Sequence, residues 1–221
     1  MLLAAFDKEV ASSRHVLEIA PTAPVTRMLR EASGGLYLGI DIDPTADRRT
    51  VQVVADLCAA PFADGAFDTS VCFHVFEHIP DDLAAMREYA RMLSPIGIGF
   101  IQNPWKADGS TQEDPTASPE ERRRKFGQAD HVRTYGADFE DRLRSAGLEP
   151  RRVVPEHVLS EVAIQTMGIT PRMPIWIVFG SKFKGKSDER LETELRRRVH
   201  RSLRKLGWSP RPIGNRKTTL R

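Results

Sequence analysis

The 221-residue chain is poor in cysteine and has no long apolar run. Its two cysteines, Cys58 and Cys72, lie in apolar surroundings, a pattern that favours buried thiols in a reducing compartment over a disulfide framework. No stretch approaches the roughly 20 apolar residues that a membrane-spanning helix needs. Met1–Arg14 lacks both the basic start and the sustained apolar core of a secretion signal. We therefore expect a cytoplasmic protein.

The net charge of +3 conceals two parts of opposite sign. Residues 182–221 carry 14 Lys/Arg against 4 Asp/Glu, whereas residues 1–181 carry 19 against 26. We expect a domain over residues 1–183, followed over 184–221 by a basic amphipathic helix and a flexible tail. The leucine stripe of that helix favours packing on the body or on a second copy of the chain. Binding to RNA, DNA or an acidic membrane surface is the alternative, but aromatic residues that would stack on bases are scarce there.

Short apolar segments alternate with helical patterns in the first half of the chain. The segments predict β-strands at His15–Ala20, Leu36–Asp41, Val51–Asp56, Phe67–His74 and Ile96–Gln102. Helices are predicted between them at Val25–Ala32 and Asp81–Leu93, an alternation typical of an α/β fold with a parallel, doubly wound sheet. Strands at 151–154 and 175–181 would complete a mostly parallel seven-stranded sheet with an antiparallel edge strand.

Two insertions interrupt this pattern, at about 105–133 and 155–174. The first is polar, and its length at the ligand-binding edge of the sheet is typical of a lid or substrate loop. Within it, Ser118 and Pro119 precede the run Glu120–Lys125 and predict a capped helix start. A further helix is predicted at Ala137–Ala146.

Acidic residues mark the first three predicted strands. Glu18 lies within the first strand, Asp41 ends the second and Asp56 ends the third. An acid about 20 residues beyond the first strand is placed to accept hydrogen bonds from the two hydroxyls of a ribose, and Asp41 has this spacing. Asp56 could accept from an adenine amino group while the backbone N–H of Leu57 donates to a ring nitrogen. The alternative is that each acid caps the helix that follows its strand.

These acids belong to a longer pattern, made of Val16–Ala20, Gly39–Asp41, Ala55–Leu57, Pro61–Asp68 and His74–Asp82. Together the segments resemble the class I S-adenosylmethionine-dependent methyltransferases of the small-molecule type 11 group, over about residues 15–103. The resemblance implies a Rossmann-like fold that binds S-adenosylmethionine and releases S-adenosylhomocysteine. It also implies a cofactor contact at each strand end: the methionine end at Glu18, Ala20 and Pro21, the ribose and adenine at Asp41, Ile42, Asp56 and Leu57, and the far side at Phe73 and His74.

The glycine-rich loop of that family is missing. Ala20–Pro24 stands in place of Gly-x-Gly-x-Gly, with prolines at 21 and 24. Glycine permits positive φ and close approach to a ligand, whereas each proline fixes φ and removes a donor. The loop is therefore either rigid and preshaped for the cofactor or closed to it. In the second case the fold would serve binding or non-methylating chemistry.

Candidate catalytic groups follow from the needs of methyl transfer, which requires an aligned acceptor and, for a hydroxyl, a general base. His74 is the first candidate, and His131 and Tyr135 could fold over the same cleft after the lid. The alternative for His74 is a neutral packing role. No metal site is expected, because Glu77 and His78 are adjacent and no second cluster has metal-ligand spacing.

The function expected from these residues is methyl transfer to oxygen or nitrogen of a small molecule, such as a sugar or a natural-product intermediate. We expect the chain to form a homo-oligomer through its C-terminal helix. We do not expect it to bind nucleic acid. An RNA- or DNA-directed methyltransferase that uses the basic tail is the further alternative.

Overall fold

The computed structural model of the chain describes residues 7–182 apart from 44, 46–49, 160, 167–169 and 171–172, together with 193, 197, 198 and 201. The helices are α1 (Asp7–Ser12), α2 (Ala23–Ala32), α3 (Asp82–Met92), α4 (Pro119–Phe126), α5 (Phe139–Ser145), α6 (Pro155–Val158) and α7 (Glu161–Thr166). The strands are β1 (His15–Ile19), β2 (Leu36–Asp41), β3 (Val53–Val54), β4 (Phe67–Phe73), β5 (Leu93–Gln102), β6 (Gln112–Glu113), β7 (Arg133–Thr134), β8 (Glu149–Val153) and β9 (Ile175–Phe179). Short 3-10 turns lie at Leu57–Ala59 and Phe76–His78.

The main sheet has the strand order β3-β2-β1-β4-β5-β9-β8. Strands β1 to β5 pair in parallel, and β9 is antiparallel to β5. The predicted mostly parallel seven-stranded sheet is thereby confirmed, with β9 one place in from the edge and β8 outermost. The strand order reverses between β1 and β4, and ligands of doubly wound sheets bind at the carboxyl ends of the strands beside such a reversal.

The chain divides into two compact units. One consists of residues 8–152 and 175–184, and carries nearly all of the main sheet. The other consists of residues 1–7, 153–174 and 185–221, and within its described part α6 packs against α7. The predicted basic helix and tail fall almost wholly outside the described residues, so they and the boundary at 183 stay predictions. Within the described part of the chain, no helix combines the length and the apolar character needed to cross a membrane.

The third strand is shorter than the sequence pattern predicts. It covers Val53–Val54 alone, because the side chain of Asp56 turns the chain directly afterwards by accepting a hydrogen bond from the Cys58 N–H at 2.8 Å. The capped start predicted for the helix in the first insertion is confirmed. Ser118 and Glu121 bond reciprocally to each other's backbone N–H groups at the start of α4.

The core lies around the central strands. Leu17, Cys72 and Ile101 are at most 1% exposed, and α3 covers them with Met86 and Tyr89. The Tyr89 hydroxyl donates to the backbone oxygen of Ser70. A Cβ atom on Gly99 would come within 2.3 Å of that hydroxyl, so β5 needs glycine there for α3 to approach.

Two non-glycine residues in the described part of the chain have positive φ, Ala20 at 51° and His74 at 57°. Ala20 follows β1 and His74 follows β4, the neighbouring strand. Backbone bonds of 2.8 Å hold both, from Ala20 N–H to Ile40 and from His74 N–H to Gln102. Left-handed backbone costs an L-residue about 1–2 kcal/mol, and such strain concentrates at functional sites. Ala20 thus keeps a backbone conformation that glycine adopts without strain.

Replacing Ala20 with glycine should stabilise the fold by about 1 kcal/mol, because glycine lacks the Cβ atom that makes positive φ costly. Urea unfolding followed by circular dichroism would show a higher midpoint at unchanged slope. Ala85→Gly, inside α3, is the matched control and should lower the free energy of unfolding by about 1 kcal/mol or more. A destabilised Ala20→Gly variant would contradict a left-handed backbone at this residue.

Candidate active site

A cavity of about 770 Å³ opens at the carboxyl ends of β1 to β4. Its volume lies within the usual range for small-molecule sites, about 300–1,000 Å³. The lining residues come from the ends of these four strands, from the turn before α3 and from the first insertion: Ile19, Ala20, Ile40–Ile42, Ala55–Cys58, His74, Val75, His78–Asp81, Arg122 and Asp130.

Most of the residues predicted to contact the cofactor meet in this cavity. Those that line it are Ala20, Asp41, Ile42, Asp56, Leu57 and His74. Glu18, Pro21 and Phe73 are not among the lining residues. The structure therefore brings the predicted ribose and adenine residues together, while the individual contacts stay predictions.

Glu18 shapes the loop between β1 and α2. Its carboxylate is 2% exposed and accepts hydrogen bonds from the Thr22 N–H at 3.0 Å, the Thr26 hydroxyl at 2.7 Å and the Tyr37 hydroxyl at 2.6 Å. Burial raises the pKa of Glu18, and these three hydrogen bonds act in the opposite direction. Glu18 thus anchors the loop from below the position that the resemblance assigns to the methionine end of the cofactor.

The second proline of the loop, Pro24, fits the start of α2. Pro24 lies in the first turn of α2, where a backbone N–H has no partner within the helix, so its missing donor breaks no helical bond. Thr22 precedes the helix and is held by Glu18. These contacts hold the loop in one defined shape, and its fit to the cofactor stays a prediction.

Asp41 and Asp56 each use one oxygen to brace their own turn. Asp41 Oδ1 accepts from the Asp43 N–H at 2.9 Å, and Asp56 Oδ1 accepts from the Cys58 N–H at 2.8 Å. A carboxylate offers about four acceptor sites, so both retain capacity for a ligand hydroxyl or amino group. Ile42 and Leu57 add apolar surface to the same cavity. This set of residues fits a ribose and an adenine ring, and so fits S-adenosylmethionine.

His74 is held in place by a buried carboxylate. Its Nδ1 lies 3.2 Å from Oε1 of Glu77, whose side chain has no exposed surface, while the His74 side chain is 46% exposed. With the amide of Asn103 oriented so that its nitrogen faces the two neighbouring acceptors, it donates to Oε2 of Glu77 at 2.9 Å. The hydrogen bond to Glu77 raises the pKa of His74, partly offset by burial. The pair has the geometry of a base whose ring is oriented by an acid.

The first insertion is docked on the turn that carries Glu77. Arg133, 1% exposed, donates to the backbone oxygens of Phe76, Ile79 and Pro80. The Val132 N–H donates to the backbone oxygen of Glu77 at 2.9 Å. The insertion therefore forms one wall of the site through buried bonds and does not lie loosely over it.

Tyr135 and His131, two of the predicted catalytic residues, do not lie where the sequence predicts them. Tyr135 is fully buried and donates its hydroxyl to Asp82 Oδ2 at 2.8 Å, away from the cavity lining, so its placement does not support catalysis. His131 is 4% exposed and packs edge-on against His78, with ring centroids 4.6 Å apart. The sequence predicts both residues in the cleft, whereas the docking of the insertion buries them.

Sequence spacing also missed a cluster of potential metal ligands. Glu77, His78 and His131 each offer a ligand atom, and these atoms lie within 4.8 Å of one another. Glu77 and His78 are adjacent, and the third member comes from a distant segment that only the fold brings near. Arg122 and Asp130, which line the cavity from the same segment, carried no sequence signal.

Residues 17–101 match a family of sequences described as a methyltransferase domain, which confirms the resemblance seen in the motifs. Among curated proteins, the chain is similar to the ubiquinone biosynthesis O-methyltransferase of Xanthomonas oryzae pv. oryzae, with 40% identity over 63 residues. That match covers 28% of this chain and 25% of the relative, so it spans about a quarter of the relative's length.

Solved structures share the fold at low sequence identity. The 1,6-didemethyltoxoflavin-N1-methyltransferase of Burkholderia thailandensis, solved with 1,6-didemethyltoxoflavin and S-adenosylhomocysteine, has a TM-score of 0.56 and 14% identity over 81% of this chain and 76% of that one. The cyclase SpnF has a TM-score of 0.53 and 18% identity over 79% of this chain and 80% of that one. At such identities the likeness shows the fold alone.

Substituting Arg133 with methionine should destabilise the fold by about 3–5 kcal/mol, because it leaves three backbone oxygens without their buried donor and breaks the ion pair with Glu113, whereas Asp82 keeps its pairing with Arg142. Arg124→Met, on the exposed side of α4, is the matched control and should change stability by no more than about 0.5 kcal/mol. Urea unfolding of both variants measures the difference. Equal stabilities would contradict the docking of the insertion through Arg133.

Proposed function

We propose that this chain, which matches a methyltransferase domain over residues 17–101, transfers the methyl group of S-adenosylmethionine to a hydroxyl of a small molecule. One observation carries the proposal: Asp41, Asp56 and His74 line a single cavity at the switch point of the sheet. Asp41 and Asp56 suit the binding of a nucleoside, and His74 suits a general base beside it.

The cofactor supplies an electrophilic methyl group on a sulfonium when it is bound. We assign the ribose hydroxyls to Asp41 and the adenine to Asp56 and Leu57, in line with the acceptor capacity of both carboxylates. The carboxylates also favour a cation in the cavity, because unlike charges attract more strongly where water is partly excluded. The strained backbone at Ala20 supports a close approach of the first loop to the cofactor.

His74 is assigned as the general base. Its Nδ1 bonds to Glu77, which orients the ring, and we assign Nε2 to accept the proton of an acceptor hydroxyl. Half-exposure of the ring, at the rim of the cavity, gives an acceptor access to it. The name of the Xanthomonas relative, an O-methyltransferase, also favours oxygen as the acceptor atom.

The acceptor is a polar small molecule, such as a sugar or a natural-product intermediate. His78, Arg122 and Asp130 supply polar groups to the part of the cavity lining that the cofactor assignments do not use. A cytoplasmic location belongs to the same proposal and is supported by the free thiols of Cys58 and Cys72. Self-association through the C-terminal helix is likewise part of it.

Substituting Asp41 with alanine should weaken S-adenosylhomocysteine binding by about 100-fold, because two hydrogen bonds to a charged acceptor contribute about 1.5 kcal/mol each. Isothermal titration calorimetry measures the dissociation constant. Asp64→Ala removes an exposed carboxylate that is not among the lining residues and should leave binding unchanged. Equal affinities for the Asp41 variant and the parent chain would refute the ribose assignment.

Substituting His74 with asparagine should lower kcat by about 100-fold or more, the usual contribution of a general base. Asparagine tolerates positive φ, so the backbone after β4 is preserved. The assay follows S-adenosylhomocysteine formation with a panel of hydroxyl-bearing acceptors. An active variant with normal kcat would remove His74 from the chemistry.

A second candidate function is binding or non-methylating chemistry on the same fold. The glycine-free loop Ala20–Pro24 favours it, and so does the fold likeness to the cyclase SpnF. The two candidates differ in one measurement. Cofactor binding without S-adenosylhomocysteine formation across the acceptor panel would favour the second, whereas turnover with any acceptor would exclude it.

A further inference from the structure

Three metal-ligating side chains meet beside the cavity. Glu77, with no exposed surface, and His131, 4% exposed, come from the turn before α3 and from the first insertion. His78, with a side chain 33% exposed, completes the group and lines the cavity. One ligand atom from each lies within 4.8 Å of the others. Two histidines and one glutamate form a ligand set that holds zinc in catalytic sites.

Each histidine of the cluster has an oxygen neighbour at Nδ1. Nδ1 of His78 lies at an ion-pair distance of 3.2 Å from Asp130 Oδ2, and Nδ1 of His131 makes a 3.3 Å hydrogen bond with the backbone oxygen of Phe126. A histidine that donates one ring N–H to a carboxylate or carbonyl presents its other nitrogen unprotonated, and metal-binding histidines have this arrangement almost without exception. The hydrogen bond of His131 matches this arrangement, and Asp130 stands beside His78 where such a partner would lie.

The backbone around the cluster is held together independently of any ion. The Val132 N–H bonds to the backbone oxygen of Glu77, and Arg133 bonds to those of Phe76, Ile79 and Pro80. The segment that carries His131 is thus fixed to the turn that carries the other two ligands. Such preorganisation lowers the conformational cost of closing the side chains around an ion.

We propose that Glu77, His78 and His131 bind one divalent transition-metal ion, with zinc as the reference ion, beside the cavity. Metal–ligand bonds of about 2.1 Å would bring the ligand atoms to about 3.4 Å from one another, so binding tightens the cluster. Three protein ligands leave at least one coordination position open, as in catalytic sites. The open position would take an oxygen of the methyl acceptor, and this part of the proposal rests on the proposed function. Metal binding itself does not depend on it.

Zinc binding to the full chain, stripped beforehand with a chelator, tests the proposal. Calorimetric titration with zinc chloride should give one ion per chain, and zinc should raise the melting temperature, as any ligand of the folded state does. His78→Gln and His131→Gln should weaken binding by more than about tenfold, since even the loss of a ligand's hydrogen-bond partner costs about 10–100-fold. Asp130→Asn should weaken zinc binding by about tenfold, because it removes the negative charge beside the His78 ring.

His15→Gln is the matched control, because His15 is exposed at the start of β1, outside the cluster, and this variant should bind zinc as the parent chain does. Asp130 is largely exposed, so its variant keeps the test valid if His131→Gln does not fold. Failure of the parent chain to bind zinc, or unchanged affinity in the His78 and Asp130 variants, overturns the proposal.

A parallel titration of the metal-free chain with S-adenosylhomocysteine separates this proposal from the proposed function. Normal nucleoside binding without zinc binding overturns the metal site alone. Zinc binding without nucleoside binding leaves the metal site standing and overturns the cofactor assignments.

Discussion

The carboxylate of Glu77 has no contact with solvent, and a carboxylate in such a position destabilises the fold unless hydrogen bonds or a cation satisfy it. One oxygen is met by His74 from the end of β4, and the other by Asn103 from the end of β5. The backbone oxygen of the same residue receives the N–H of Val132 from the first insertion. The hydrogen bonds of Glu77 thus bring two strand ends and a distant segment together. His74, the candidate general base, makes one of these bonds.

The first loop, between β1 and α2, has the left-handed backbone that glycine usually provides, although it contains no glycine. Ala20 adopts the left-handed conformation that glycine would adopt without strain, and Glu18 fixes the following turn through Thr22, Thr26 and Tyr37. The energy lost to strain at one residue is offset by buried hydrogen bonds at its neighbours. The absence of glycine therefore alters the chemistry of the loop more than its path.

Local patterns made the strand ends predictable. β2 has the predicted bounds Leu36–Asp41, and the acids at the ends of the second and third predicted strands do face the cavity, because strand periodicity and the strand-end rule depend on near neighbours. The metal-ligand cluster and the burial of Tyr135 depend instead on how a polar insertion docks. Arg133 decides that docking, and nothing in its sequence neighbourhood distinguishes a buried arginine that donates to three carbonyls from an exposed one.

The docking of the insertion has a consequence for how ligands come and go. A mobile lid can exclude water from the cofactor and the acceptor, but its opening then often limits the turnover rate. Here the segment around Val132 and Arg133 is hydrogen-bonded to the turn beneath it and forms one wall of the cavity. We expect ligands to exchange without breaking these buried bonds, so that the bound molecules themselves displace water from the cavity. The proposed acceptor would then be selected by how completely it fills the space.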